Sequence, residues 1–263
     1  MTTTLRVLTI NALAPEYADG PRRRAALREG LARLRPDVVA VQEVRPGEAA
    51  DLVGAGWHVA ENVRRSPDGL GAALAARWPI EPLSEIDGGA GSWYATMIAE
   101  VDGMLVVHHK PVWPYGAERA RERHAVAAAR AVESALGDAD RHVILLGDLD
   151  ATPDAASIRF LTGHQSLDGM SVCYQDAWPA AHPGAPGPTF TPDNPLVRSG
   201  DMPTAPARRI DYILIRCTAH GPTLQVTACE RVFTTPPVSD HYGVLADLRV
   251  PPRPPGTFAP GYA

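Results

Sequence analysis

The stretch Val143–Asp154 reads VILLGDLDATPD and decides the architecture that we expect for this chain. Four apolar residues in succession, followed by a glycine, predict a buried β-strand. Asp148 and Asp150 come next, at a spacing that puts both side chains on one face of an extended backbone. Thr152 and Pro153 then predict the N-cap and the first residue of a helix. A strand, a polar edge and a helix in this order are typical of an α/β protein.

The two aspartates allow two interpretations. Neighbouring carboxylates repel each other unless a cation or a proton neutralises them, and such oxygen ligands hold hard cations such as Mg²⁺. The sequences Gly-Asp and Asp-Ala-Thr-Pro are also ordinary turn and cap sequences. Taken alone, the stretch favours neither a cation site nor a turn.

Three further segments place polar side chains at the end of an apolar run. They are VAVQEV with Glu43, RRIDYILIR with Asp211, and VSDHYGVLADL with Ser239, Asp240 and His241. The ends of buried strands converge on one edge of a fold, where a site can form. For Glu43 the alternative is a solvated side chain beyond the end of the strand. For Ser239, Asp240 and His241 the alternative is a polar turn. For Asp211 the alternative is an ion pair with Arg208 or Arg209.

The rest of the chain predicts mixed sheets with helices packed outside. One helix should begin at Pro21 and end before Pro36, and another should span Glu118–Leu136. Residues 180–206 are rich in Pro and Gly and predict a long irregular loop. Further strands are predicted at Leu5–Ile10, Val38–Val41, His58–Val63, Ala72–Ala76, Thr96–Val101, Met104–His108, Ile210–Ile215, Thr223–Phe233 and Gly243–Val250. We expect one domain over residues 1–250 and a Pro-rich tail over residues 251–263.

The composition limits the partners that we expect. Hydrophobic residues make up 45% of the 263 residues, enough for a sizeable core, and the formal net charge is −5. Proteins that bind nucleic acid nonspecifically usually carry a basic surplus. The acidic balance therefore disfavours a nucleic-acid substrate without excluding one, because a local basic patch can still bind phosphate.

Cysteine usage and hydropathy indicate a compartment. Cys173, Cys217 and Cys229 are odd in number and scattered, which fits neither a disulfide framework nor a CxxC metal site. We interpret them as free thiols in a reducing compartment. The N-terminus MTTTLRVLTINALAP lacks the pattern of a signal peptide, and no apolar run approaches the ~20 residues that span a bilayer. These features predict a cytoplasmic protein with no membrane association.

Seven segments in order give the chain a resemblance to a known family. They are LTINAL with Asn11, QEV with Glu43, GLGAALAARWPI, LVVHHK with His108 and His109, GDLDATPD, RRIDYIL and SDHYGV. In this order, covering Leu5 to about Val250, they resemble the endonuclease/exonuclease/phosphatase superfamily, the deoxyribonuclease-I-like metal-dependent phosphoesterases. The resemblance implies an α/β (α+β) four-layer sandwich, in which two packed mixed β-sheets are flanked by helices.

The resemblance also implies a metal site and an activated water. Glu43 and Asn11 would hold a divalent cation, Mg²⁺ or Mn²⁺, with Asp240 near it. Asp148 would orient or deprotonate the attacking water. Hydrolysis of a phosphate ester needs such a water, together with charge neutralisation on the phosphoryl oxygens.

Histidines would contact the phosphate in this family. His241 would meet the scissile phosphate while Asp211 holds it, because a carboxylate fixes the tautomer and orientation of an imidazole. His109 would hydrogen-bond a phosphate oxygen, with the adjacent His108 as the alternative. An imidazolium held in this way can also donate a proton to oxygen.

One residue departs from the family pattern. The family usually has Asn two residues after the aspartate of the GDLD segment, and this chain has Asp150. An amide offers an N–H donor to a phosphate oxygen, whereas an ionised carboxylate only accepts. Asp150 would therefore ligate a second metal ion together with Asp148, be protonated when substrate binds, or cap the turn that follows.

Two other classes of function fit the sequence less well. In a serine hydrolase, Ser239, Asp240 and His241 would form a relay, but consecutive residues of extended chain point in alternating directions, and no GxSxG elbow is present. A binding module that has lost activity would be expected to lose its acids, because buried charges without a metal are destabilising. We therefore expect a phosphoesterase acting on a phosphate mono- or diester of a small molecule, with a nuclease as the alternative.

Several other residues are weaker candidates. Arg119, Arg121 and Arg123 alternate with acids and are interpreted as a solvated helix face. Trp113 and Tyr115 follow the histidine pair in a Pro-containing loop and would line a substrate pocket or pack. Candidates of the same kind in the long loop are Thr189, Phe190 and Asn194.

Overall fold

A computed structural model of the chain describes residues 4–88 and 94–258. Its strands are β1 (Leu5–Asn11), β2 (Val38–Val44), β3 (His58–Glu61), β4 (Gly71–Ala76), β5 (Ile80–Asp87), β6 (Ala95–Val101), β7 (Met104–His109), β8 (Val143–Asp148), β9 (Tyr174–Asp176), β10 (Asp211–Thr218), β11 (Gly221–Pro222), β12 (Gln225–Val232) and β13 (Gly243–Arg249). Its helices are α1 (Gly20–Leu34), α2 (Glu48–Val53), α3 (Glu118–Leu136), α4 (Ala156–Leu161), α5 (Ala177–Ala181) and α6 (Pro195–Arg198). Helix α3 has the bounds that the sequence predicts.

The strands form two mixed sheets. One has six strands in the order β12-β13-β1-β2-β4-β3, and the other has seven, in the order β11-β10-β8-β7-β6-β5 with β9 paired to β10. Apolar side chains from both sheets, such as Val38 and Ile144, fill the space between them. Helices α1 and α2 cover the first sheet through residues such as Leu27, and α3 and α4 cover the second through residues such as Val132. The predicted four-layer sandwich is confirmed.

Each sheet contains one parallel pair of strands joined by a helix. These units are β1-α1-β2 and β7-α3-β8. The register of the first pairs Asn11 with Gln42, next to Glu43, and the second ends at Asp148. Strand β10 then pairs Asp211 directly with Asp148. The polar residues that the sequence places at strand ends therefore gather at one edge of the two sheets.

The segment after Asp148 is the main correction to the predicted elements. The N–H of Ala155 bonds to the carbonyl of Thr152, so residues 152–155 form a turn, and α4 begins only at Ala156. A distant residue satisfies the start of that helix, because Ser157 N–H donates to Glu118 Oε1 at 2.7 Å. A cap supplied by another helix leaves no local sequence signal.

Six further elements are missing from the prediction: β5, β9, β11, α2, α5 and α6, the last of which lies inside the predicted irregular loop of residues 180–206. Strand β5 pairs only with β6 at the edge of its sheet, and its sequence IEPLSEID is polar and half exposed, so it lacks the apolar run of a buried strand. Helix α2 has only six residues. Of the predicted tail, residues 259–263 lie outside the described residues.

Candidate active site

One cavity of about 750 Å³ opens at the shared edge of the two sheets. Its charged and polar lining includes Asn11, Glu43, Asp68, Lys110, Asp148, Asp150, Asp201, Arg208, Asp240 and His241. Its apolar lining includes Leu13, Tyr17, Leu70, Trp113, Phe190, Leu196, Met202 and Ile210. Six of the eight site residues predicted from the sequence thus meet in one cavity. The other two, Asp211 and His109, do not line it.

Asn11 connects the two sheets at this cavity. Its Nδ2 donates to Glu43 Oε1 and to Asp148 Oδ2, both at 2.9 Å, and its Oδ1 accepts from Leu13 N–H at 3.0 Å. Glu43 has a φ of 59°, at a shift of register between β2 and β4. Such left-handed backbone is rare outside glycine and clusters at functional sites. The bulge is what places the Glu43 carboxylate beside Asn11.

Lys110 is a site residue that the sequence analysis does not single out. It is 3% exposed, and its Nζ lies 2.6 Å from Asp148 Oδ2 and 2.5 Å from Asp150 Oδ2. Burial lowers the pKa of Lys110, but the three carboxylates of Asp148, Asp150 and Glu43 outweigh it and raise the pKa well above 10.5. The position between Asp148 and Asp150, where a second metal ion is one of three alternatives that the sequence leaves open, therefore holds an ammonium group.

The two aspartates beside Lys110 differ in their acidity. Burial raises the pKa of Asp148, but Lys110 and His241 outweigh it and lower the pKa to about 2. Burial and the charge of Asp148 together raise the pKa of Asp150 to about 6. Asp150 has a φ of 52°, and its carbonyl accepts from Arg208 at 2.7 Å. Asp148 is thus ionised throughout the neutral range, held at Oδ1 by Asp150 N–H at 3.2 Å.

His241 is oriented by a buried carboxylate. Its Nδ1 lies 3.0 Å from Asp211 Oδ2, and its Nε2 lies 4.0 Å from Asp148 Oδ2. Burial lowers the pKa of His241, but the carboxylates of Asp211 and Asp148 outweigh it and raise the pKa well above 6.5. His241 is therefore an imidazolium at neutral pH. The ring of Phe190 packs edge-on against it, with the ring centres 5.1 Å apart.

The arginines next to Asp211 in sequence do not pair with it. Arg209 forms its ion pair with Asp176 at 2.5 Å. Arg208 lies over the ring of Tyr115, 4.3 Å from the ring centre. The hydroxyl of Thr189 accepts from the N–H of Asp211 at 3.2 Å and fixes the start of β10. Of the two interpretations of Asp211, the structure favours the partner of a histidine.

Asn194, in the long loop of residues 180–206, holds the segment that carries Asp240 and His241. Asn194 Nδ2 donates to the carbonyls of Ser239 and Asp240 at 2.9 and 3.0 Å. Ser239 Oγ donates to Asp240 Oδ1 at 3.0 Å and accepts from His241 N–H at 3.2 Å. Ser239 is fully buried. Because it is buried and already bonded on both sides, Ser239 stabilises the turn. It is not available as the nucleophile of the serine hydrolase alternative.

The histidine pair lies inside the molecule. His108 Nε2 is 2.6 Å from Gln42 Nε2, across the space between the two sheets. His109 Nδ1 is 2.6 Å from Thr96 Oγ1. Burial lowers the pKa of both, to about 3 for His108 and well below 6.5 for His109. Both are neutral, and the contact of His109 with a phosphate oxygen stays a prediction.

Two exposed aromatic residues lie in the loop after the histidine pair, and one of them, Trp113, lines the cavity. Trp113 and Tyr115 are each about half exposed, at 50% and 48%. Their loop is held by Arg121, which is 3% exposed and donates to the carbonyls of Val112, Pro114 and Tyr115. The predicted solvated role of Arg121 is wrong. Its guanidinium faces the loop rather than water because the loop folds back over the start of α3.

Within residues 4–88 and 94–258, no helix is long and apolar enough to cross a bilayer.

Two packed mixed sheets with carboxylates, an imidazolium and an ammonium group at their shared edge define a hydrolase of phosphoric esters. The comparisons with known proteins support this class. A model of the Endonuclease/Exonuclease/phosphatase family matches residues 8–241, and the chain belongs to that family. No curated protein matches the chain at a significant level.

Several solved structures share the fold. TDP2 of D. rerio, complexed with a single-strand DNA product, is 17% identical over 94% of this chain and 100% of that one, with a TM-score of 0.69. The human Nocturnin catalytic domain with bound sulfate is 18% identical over 95% and 94%, with a TM-score of 0.69. ANGEL2, a 2′,3′-cyclic phosphatase in complex with adenosine-2′,3′-vanadate, is 13% identical over 94% and 96%, with a TM-score of 0.70. These likenesses concern the fold.

The family depends on divalent metals, and the donors present here fit such an ion. The cavity lining holds six carboxylates, including Glu43 and Asp240, against the cations Lys110, Arg208 and His241. Burial raises the pKa of Glu43 even with Lys110 nearby, so its carboxylate lacks a full counter-charge. Hard carboxylate and amide oxygens are the ligands that Mg²⁺ prefers. Asp148, Asp211 and His241 form a second grouping, with potential ligand atoms within 4.8 Å of one another.

Proposed function

We propose that the chain hydrolyses a phosphate mono- or diester of a small molecule by in-line attack of a water that Asp148 activates. The observation that carries this proposal is the convergence of Asp148, His241, Glu43 and Asn11 on one cavity, where Asp211 orients His241 through a hydrogen bond. Each of these groups has a distinct task in phosphoryl transfer to water.

Asp148 is suited to hold the attacking water. Its carboxylate is ionised, and the hydrogen bonds from Asn11, Lys110 and Asp150 N–H fix its orientation. A carboxylate has about four acceptor sites, so one remains for a water proton. A base with a low pKa orients water and accepts its proton only as the new bond forms.

His241 is suited to stabilise the phosphate and the leaving oxygen. Its Nδ1 is engaged by Asp211, which leaves Nε2 as the donor toward the cavity. Because it is an imidazolium at neutral pH, it can donate a hydrogen bond to a phosphoryl oxygen without a prior protonation. We assign the Asp148, Asp211 and His241 grouping to this task rather than to a metal, because the hydrogen bond between the latter two occupies one ligand atom of each.

The cation belongs at the Glu43 carboxylate, which shares the Nδ2 donor of Asn11 with Asp148. Glu43 and Asn11 Oδ1 would hold it, with Asp240 near it. When bound, Mg²⁺ or Mn²⁺ supplies charge neutralisation on the phosphoryl oxygens. The half-buried Glu43 carboxylate, held by the bulge of β2, is the anchor of this site.

The charge of the cavity favours a small molecule over a polynucleotide. Six carboxylates line it, and of its cations Lys110 is already paired with two of them. A nucleic acid would bring further phosphates, which need arginines and lysines along a groove. The apolar walls around Trp113 and Phe190 instead suit the organic part of one small ester. His109 would contact the phosphate only after a change that brings it to the cavity.

A nuclease is the second candidate. The structure of TDP2 with single-strand DNA and that of ANGEL2 with adenosine-2′,3′-vanadate show relatives in fold bound to a nucleic acid or a nucleotide. The exposed ring of Trp113, which lines the cavity, is placed to stack with a base.

We also propose a cytoplasmic location, supported by the three free cysteines.

A substrate screen tests the proposal. The purified chain should be assayed with Mg²⁺ or Mn²⁺ against phosphomonoesters, phosphodiesters and single-stranded oligonucleotides. EDTA should abolish hydrolysis, and Mg²⁺ or Mn²⁺ should restore it. Activity that survives thorough chelation would contradict the metal, and turnover of oligonucleotides alone would replace the small-molecule substrate with a nucleic acid.

A further inference from the structure

Lys110 and Asp150 form an ion pair inside the active-site cavity. The ammonium bridges Asp148 and Asp150 at 2.6 and 2.5 Å, and all three side chains are at most 9% exposed. An ion pair this deeply buried has to offset the desolvation of both its partners. Its place beside the predicted catalytic aspartate suggests a task in the reaction.

Lys110 and Asp150 together leave the net charge of the site the same as it would be with two uncharged residues at these positions. An asparagine at position 150 with an uncharged residue at position 110 would leave Glu43 and Asp148 to balance one divalent ion. Asp150 adds one negative charge and Lys110 adds one positive charge, so the balance is the same. A second divalent ion between Asp148 and Asp150 would have to displace the ammonium from both carboxylates.

We propose that the Lys110 ammonium takes the place of a second metal ion, with Asp150 as its counterion and one divalent ion bound at the Glu43 side. This inference rests on the proposed function. An ammonium carries three protons, and the two carboxylates account for two of them. The third is the one that we assign to a phosphoryl oxygen, which a lysine binds as a compact point charge.

The number of bound ions tests this inference without any substrate. Isothermal titration with Mn²⁺ should give one ion per wild-type chain. Lys110→Met should give two, because Asp148 and Asp150 then need another cation, and the two ions should show magnetic coupling by electron paramagnetic resonance. The double variant Lys110→Met with Asp150→Asn should return to one. Asp150→Asn alone leaves Lys110 paired only with Asp148 and makes the site more positive by one charge, so it should weaken Mn²⁺ binding at least about tenfold.

The outcomes separate this inference from the function on which it rests. Two ions in the wild-type chain, or a single ion in Lys110→Met, would overturn the role of Lys110 and leave the phosphoesterase standing. No ion in the wild-type chain would overturn both. The wild-type count depends on no variant, so the proposal can fail even where Lys110→Met does not fold. Thermal denaturation of each variant shows whether its count refers to folded protein.

Discussion

The Nδ1 atom of His241 lies 3.0 Å from Oδ2 of Asp211, although 30 residues separate the two in sequence. Asp211 opens β10 in direct register with Asp148, and His241 precedes β13 of the other sheet. The pair therefore exists only where the two sheets meet. Its carboxylate keeps the imidazole charged, which sets the first prediction.

Substitution of His241 should be costly to the reaction. His241→Gln should lower kcat by roughly 10² to 10⁴, the usual range for a positioned acid–base group. Asp211→Asn should lower kcat less and shift the alkaline limb of the pH–rate profile to lower pH, because the pKa of His241 falls without its carboxylate partner. Profiles of kcat against pH on the best substrate of the screen give the measurement. His220→Gln, at an exposed histidine, is the matched control, and wild-type turnover in His241→Gln would remove it from the mechanism.

Arg23 should be essential to the loop that follows Asn11. It is 5% exposed, and its guanidinium donates to the carbonyls of Ala12, Ala14, Tyr17, Ala18 and Val238. Arg23→Met should lower the free energy of unfolding by roughly 3 kcal/mol or more, since several buried carbonyls lose their donor. Urea denaturation measures it. Arg22→Met, at an exposed neighbour, should change the unfolding free energy by less than about 0.5 kcal/mol, and equal effects of the two substitutions would refute the assignment.

Gly147 should tolerate no side chain. It lies in β8 with a φ of 152°, and a Cβ there would stand 2.1 Å from the backbone carbonyl oxygen of His109. Gly147→Ala should therefore push β7 and β8 apart and cost at least about 2 kcal/mol of stability. Gly137→Ala is the matched control, because that glycine also has a positive φ but no atom within 4 Å of its would-be Cβ. It should cost about 1 kcal/mol. A smaller loss at Gly147 than at Gly137, by urea denaturation, would contradict the packing argument.

Acid should destabilise the protein through histidines that the fold keeps neutral. Burial lowers the pKa of His108 to about 3 and that of His124 to about 4, from 6.5 when unfolded. Below pH 6.5 these histidines bind protons in the unfolded chain but stay neutral in the folded chain. Their contribution to the free energy of unfolding is therefore fully present above pH 6.5 and is lost as the pH falls. Each group contributes a loss approaching about 1.4 kcal/mol per pH unit.

The variant His108→Gln isolates the contribution of one of these two histidines to the loss of stability in acid. His108→Gln keeps a polar partner for Gln42 but cannot be protonated. Its unfolding free energy should therefore fall less steeply than that of the wild type between pH 6.5 and 5. Urea denaturation at several pH values gives both slopes, and identical slopes would show that His108 is not held neutral.

Sequence reasoning reached the layers of the fold and most of the site because strand ends carry a strong signal. Glu43, Asp148 and Asp211 each follow or open an apolar run, and the fold brings such ends together. It missed Lys110, since a lysine after a histidine pair reads as an ordinary surface residue until its carboxylate partners are placed. It missed the inward turn of Arg121 for the same reason. Partners that are distant in sequence determine where the side chains of Lys110 and Arg121 lie, and no local sequence pattern indicates such partners.

The order of the strands in the first sheet has a consequence for the biosynthesis of the enzyme. Strand β1 lies between β2 and β13, so it waits for one neighbour until nearly all the described chain has left the ribosome. Asn11 and Glu43 emerge early, whereas His241 emerges directly before β13. A nascent chain therefore carries Asn11 and Glu43 long before Asp240 and His241, and the cavity is complete only after these last two residues have left the ribosome. Until then the open edge of β1 is a place where a chaperone would be expected to act, because unpaired edges invite aggregation.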